Sequence, residues 1–255
     1  MYTVSRSTRS ASTAAVELRA LVGQAVPKVV AKALTFTVQK AQTSIAEEMS
    51  RVFKGGATPY TVKSTRIETA TPQDLSARVA VKDRTTNNGT LPEDYLFPQV
   101  FGGPRKEKRF ERAMRYAGLL KPGSRVVLGD SAPIDTFGNL KRGEMQRILT
   151  ATRSAFDPYQ RKSKSARSRK NAKNAPYFVG GLDDVRYEGG EMVVKKGRMQ
   201  PGIYRREGRG IKPILIFITK QPTYAKRLDF EGIARATAAR EFEPTFRRLL
   251  AAANR

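Results

Sequence analysis

The stretch Gly102-Gly103-Pro104-Arg105-Lys106 sets permissive backbone beside two cations, the residue types from which phosphate-cradling loops are made. Such loops wrap the anion with successive backbone N–H groups while a Lys and a hydroxyl reach outward, in the spacing G-x-x-x-x-G-K-[ST]. No window of the 255 residues has that spacing. Pro104 also lacks an N–H where a phosphate would need a donor. Gly208-Arg209-Gly210 is short of the third glycine of a dinucleotide fingerprint. Asp183, Asp184, Glu188 and Glu191 are near enough in sequence to gather around magnesium. Spacing alone does not make hard-cation ligands converge, so solvated turn residues are the expectation there. The chain has no Cys and no His. That removes disulfides, thiolate nucleophiles, nearly all zinc, copper and haem sites, and the commonest general base. Ser/Lys, Tyr or carboxylate chemistry is what remains, and no constellation isolates it. The expectation is a protein without catalytic, cofactor-binding or metal-binding residues.

With 48 Lys and Arg against 23 Asp and Glu, the formal charge is +25. This far exceeds what solubility needs, and a chain so cationic repels itself until a polyanion or an acidic protein neutralises it. DNA, RNA and acidic neighbouring subunits are all open on charge alone. Arg161, Lys162, Lys164, Arg167, Arg169, Lys170 and Lys173 fall between Pro158 and Pro176 with no acid among them. They form a candidate contact with DNA or an acidic partner, acting through counterion release without reading bases. Arg205, Arg206, Arg209 and Lys212 make a second basic cluster. No zinc finger, helix-turn-helix or RNP-type aromatic signature accompanies them. No run approaches 18 apolar residues and MYTVSRSTRSAST lacks the apolar core of a signal peptide, so a soluble, non-membrane protein is expected.

The elements that would position these residues read as follows. Residues 1–13 are Ser/Thr/Arg-rich without periodicity, a flexible arm. Val26, Val30, Leu34, Val38, Ala41, Ile45, Met49 and Val52 recur at steps of three and four, one stripe of a long helix that begins near Pro27 and stops at Gly55-Gly56. TVKSTRI, the turn Thr71–Asp74 and LSARVAVKD predict a hairpin. Tyr95–Val100 reads as an extended loop, turned by Gly102-Gly103 into a helix over Lys106–Ala117 with Phe110, Ala113, Met114 and Ala117 inward. Arg105, Lys108, Arg109, Arg112 and Arg115 are expected to face elsewhere, with Glu111–Arg115 a small helical pair. Arg125–Leu128 predicts a strand, Asp135–Asn139 a turn, and Met145, Ile148, Leu149 and Thr152 another helix. YFVGG, EMVVKK, GIYRRE and PILIFI predict strands, the last a central one. Asp229 suits the N-cap of a final helix, and Pro244 predicts a kink or restart near Glu243. The core is expected between the long helix, the strands around Val79 and Ile216, and the Phe246/Leu250 stripe. The fold class is α+β: a long N-terminal helix on a mostly antiparallel sheet, a C-terminal helix and a basic flexible loop. A single domain over 14–255 carries that loop at 158–176.

The order of these pieces has a counterpart. Ala33-Leu34, Ala41, Phe53, Thr58-Pro59, Val81-Lys82-Asp83, Leu96–Val100, Gly102-Gly103, Arg105, Lys108–Glu111 and Ala113 are followed by Gly118, Ala132, Asp135 and Gly138-Asn139. Together they resemble the minor tail protein Z family of long-tailed bacteriophages, the tail completion proteins, over about Val26–Ala151. The likeness resumes more weakly from Gly202 through Ile218 and Tyr224 to the terminal helix. It implies a structural virion protein without cofactor, at the head-proximal end of the tail. A ring, with a hexamer favoured, would join tail to head and meet the tail terminator, tail tube and head-completion proteins, with DNA in passage a further contact. Its location would be the virion neck, reached from the host bacterial cytoplasm during assembly. In that setting Tyr95, Phe97, Val100, Phe101, Arg105, Arg109 and Arg112 are candidate subunit-interface residues, since aromatics and arginines are what interfaces enrich. The rival readings are a free basic nucleic-acid-binding protein of nucleoid type and a metal-dependent nuclease.

Overall fold

The chain is described by a computed structural model covering residues 23, 25–84, 90–155, 176–182, 184–188, 191–195 and 199–253, with backbone alone for 184–188 and 191–195. The arm at 1–13 and the seven basic residues Arg161 to Lys173 lie outside the described residues. The fold is α+β, and all its described strand pairs are antiparallel. It forms two compact units. One comprises the described residues up to 84 with 91–93 and 227–253, and the other comprises residue 90 with 94–226.

The first unit is organised by helix α1 (Val26–Val52). Pro27 sits in its first turn, where a missing N–H costs nothing. Its buried side is Val29, Ala31, Ala33, Thr37, Val38, Ala41, Ile45 and Met49. The stripe is thus rotated at the N-terminal end, where Val29 and Ala33 go inward while Val30 and Leu34 are half-buried. After the single turn α2 (Pro59–Val62), strands β1 (Thr65–Glu68) and β2 (Arg78–Val81) form the expected hairpin, Thr65 opposite Val81. The Thr71–Asp74 turn closes through Thr71 N–H to Asp74 O, 2.8 Å, and Asp74 N–H to Thr71 Oγ1, 3.0 Å. Gln42 Nε2 donates to Thr65 O at 3.2 Å, tying α1 to the hairpin. The C-terminal helix, Phe230–Ala253, packs along α1 and runs unbroken through Pro244. No restart occurs at Glu243: the helix is continuous, and Phe242 and Phe246 stack at 6.1 Å across the proline.

The second unit holds α3 (Pro92–Phe101, from Asp94 onward), β3 (Gly103–Pro104), α4 (Arg109–Tyr116), β4 (Arg125–Leu128) and α5 (Arg142–Ala151). Then come β5 (Tyr177–Gly180), the hairpin β6 (Asp184–Glu188) with β7 (Glu191–Lys195), β8 (Gly202–Glu207), β9 (Gly210–Ile218) and β10 (Thr223–Tyr224). The C-terminal helix is therefore α6. A four-stranded sheet runs β4-β9-β8-β5, with the apolar β9 inside as its composition requires. Phe110 and Met114 of α4, Leu120 in the following loop, Val126 of β4 and Ile148 of α5 pack with Tyr177, Ile203, Ile214, Leu215 and Phe217 in its core. The expected core around Val79, Ile216 and Phe246/Leu250 is corrected accordingly. Those four residues are half-buried; beside Ile216 the buried residues are Leu215 and Phe217, and the C-terminal helix buries Thr237 instead of Phe246 or Leu250.

Candidate interaction surface

The Tyr95–Val100 segment is a helix, not an extended loop. Pro92 opens α3, and Leu96 and Val100, four apart, both go inward. Burying that pair outweighs the extended bias that Pro98 imposes on the residue before it. A flanking stripe is Asp94, Phe97 and Phe101, spaced three and four apart and so on one side of the helix. Phe97 and Phe101 meet edge to face at 5.6 Å, with Phe101 69% exposed.

Gly102 ends the helix with its N–H on Pro98 O, 3.0 Å, at a φ of 79° that L side chains avoid. A Cβ there would also stand 3.3 Å from Tyr224 O, because Gly103–Pro104 pairs with Thr223–Tyr224. The Gly-Gly-Pro stretch is thus occupied in a strand bridge. This also delays α4, which starts at Arg109 rather than Lys106.

Arg105 does not face outward. It is buried against Glu111, Nη1 to Oε2 at 2.7 Å and Nη2 to Oε1 at 2.5 Å. The Glu111 carboxylate also accepts from the N–H of Lys108 at 2.8 Å and from the N–H of Val126 at 2.7 Å. Arg105 Nη2 returns a bond to Val126 O at 3.3 Å. Strand β4 lies at the border of the sheet, paired with β9 alone. The Arg–Glu pair thus takes the place of a neighbouring strand at Val126 and satisfies edge groups that would otherwise be left open. Burial by itself raises the Glu111 pKa. The Arg105 guanidinium and the two backbone N–H groups outweigh it and hold the carboxyl below the usual carboxylate range. The expected Glu111–Arg115 pair is corrected too, since Arg115 is bound to Glu107.

The other candidate residues divide by burial. Arg109 and Arg112 are exposed on α4, Tyr95 is half-buried, and Val100 is buried with Leu96. Phe110 and Met114 turn inward as expected. Tyr116, 82% exposed and in register with Arg109 and Arg112 on α4, belongs to the outer face and was not singled out from sequence. Its i, i+3, i+7 spacing from Arg109 was the available signal. Of the four acids considered for magnesium, Asp184, Glu188 and Glu191 are in the β6–β7 hairpin rather than in turns, and Asp183 is outside the described residues.

Among the described residues, no group of three or more His, Cys, Asp or Glu is placed to hold a metal ion, and no helix is long and apolar enough to cross a membrane. A shallow hollow of about 100 Å³ is lined by Leu119, Leu120, Leu182, Pro201, Phe217 and Ile218, with Lys121, Ser124, Gly181 and Thr219 around it. It lacks the convergent polar groups of a substrate site. Compared with known proteins, the chain matches no family, no curated protein and no solved structure.

Proposed function

We propose that this chain is a structural virion protein of a long-tailed bacteriophage. It is a tail completion protein that assembles as a ring at the head-proximal end of the tail and joins tail to head, with no catalytic step. One observation carries the reading. The segment that carries much of the resemblance, Leu96 to Ala113, sets exposed aromatics beside a buried ion pair. Phe97 and Phe101 stand in solvent on α3 while the buried Arg105–Glu111 pair pins the connection to α4 and the sheet edge. Exposed aromatics on a fixed element suit a permanent protein contact, since such anchors carry much of the binding energy of interfaces.

A phage unable to make this chain tests the reading. Filled heads and full-length tails should accumulate unjoined, and supplying the protein should restore joined particles. Joined, infectious particles in its absence would end the proposal. Salt-sensitive binding of the free protein to duplex DNA, together with normal particles, would support the nucleoid-type alternative.

A further inference from the structure

We infer that the β6–β7 hairpin is an arm that seats on a second copy of this chain, its apolar face and acidic tip meeting the aromatic and basic surface at 94–116 of the neighbour. Such a contact rests on the ring assembly proposed above and would be the joint between its neighbouring copies. Successive residues of a strand alternate between faces, so the register sorts the hairpin into two sides. Val185 opposite Val194 and Tyr187 opposite Met192 fall on one face. Asp184 opposite Lys195, Arg186 opposite Val193 and Glu188 opposite Glu191 fall on the other. Among the described residues the two strands pair with each other alone, and no other element packs along them. A two-stranded hairpin is marginal in water by itself and needs its apolar face covered.

The hairpin's charge selects the cover. Residues 183–191 hold Asp183, Asp184, Glu188 and Glu191 against Arg186, in a chain of net charge +25. Glu188 and Glu191 stand directly opposite at the end of the ladder, where like charges work against the pairing until a cation lies beside them. DNA would add phosphates to that tip and so does not suit it. The seat must be apolar and basic, and this chain carries such a surface. Phe97, Phe101 and Tyr116 are exposed there, and so is Arg112, four residues before Tyr116 on α4. Within one chain the hairpin is not packed on α3 or α4, so the contact runs between copies. It joins two different surfaces, the head-to-tail kind of contact that closes into rings. Pairing either surface with itself would instead bring like charges together.

Sedimentation velocity of the full-length protein tests this, and mixtures of variants read the polarity of the contact. The wild type should self-associate as its concentration rises. Tyr187→Ser/Met192→Ser on the hairpin and Phe97→Ser/Phe101→Ser on the seat should each weaken association by about tenfold or more, with circular dichroism unchanged. Glu188→Lys/Glu191→Lys and Arg112→Glu spare every apolar side chain and should weaken it through charge. Each defective copy keeps one sound surface. An equimolar mixture of a hairpin variant with a seat variant should therefore form heterodimers that grow no further. Three results would each overturn the inference: a wild type that stays monomeric up to the limit of solubility, self-association that the hairpin variants leave unchanged, or variant mixtures that remain monomeric. Loss of neck assembly is read separately, in the phage lacking the chain, so either claim can fail without the other.

Discussion

Glu111 shows how much one side chain can organise. Four donors converge on its two oxygens from Arg105, Lys108 and Val126. Removing one partner of such a buried pair strands the other charge, so Glu111→Ala should cost on the order of 3–5 kcal/mol in denaturant unfolding. The acid dependence follows from the depressed carboxyl. Its folded pKa lies below the ordinary glutamate value of about 4.3, so its contribution is present above that value and fades as pH falls through the folded one. Glu111→Gln should therefore be less stable than wild type near neutrality and show a flatter loss of stability below about pH 4. Parallel curves for the two proteins would remove Glu111 as the titrating group. At Gly102 the left-handed backbone and the nearby Tyr224 carbonyl act together, and Gly102→Ala should destabilise by about 1 kcal/mol or more. A midpoint equal to wild type would mean the turn relaxes freely.

At the scale of elements, the periodic segments were readable and the interrupted ones were not. The stripe of α1, the β1–β2 hairpin, β4 and the interior strand β9 follow from spacing and apolar content, because burial imposes those periods locally. The helix α3 was not legible. Pro98 and Gly102-Gly103 signal extended backbone and a turn, while the burial of Leu96 and Val100 that decides the matter comes from the rest of the unit. Arg105 was misread for a related reason. Its partners lie 6 and 21 residues away, beyond any helical spacing. The same competition appears in α6, where Pro244 interrupts the hydrogen-bond ladder yet the helix continues. Pro244→Ala should restore that bond and stabilise the protein by up to about 3 kcal/mol. A lowered midpoint would show that the proline fits a bend the helix needs.

For the whole molecule, the surplus of 48 cations over 23 acids is the dominant physical fact. It opposes close approach of copies unless something anionic lies between or beside them. The basic stretch from Arg161 to Lys173, outside the described residues, adds to that demand. The central claim is that the chain works by assembly at the head-to-tail joint. Gold-labelled antibody against it, viewed on intact particles by electron microscopy, tests this most directly. The account predicts label confined to the neck, at the head-proximal end of the tail. Particles without label, or label along the tail or on the head shell, would contradict it.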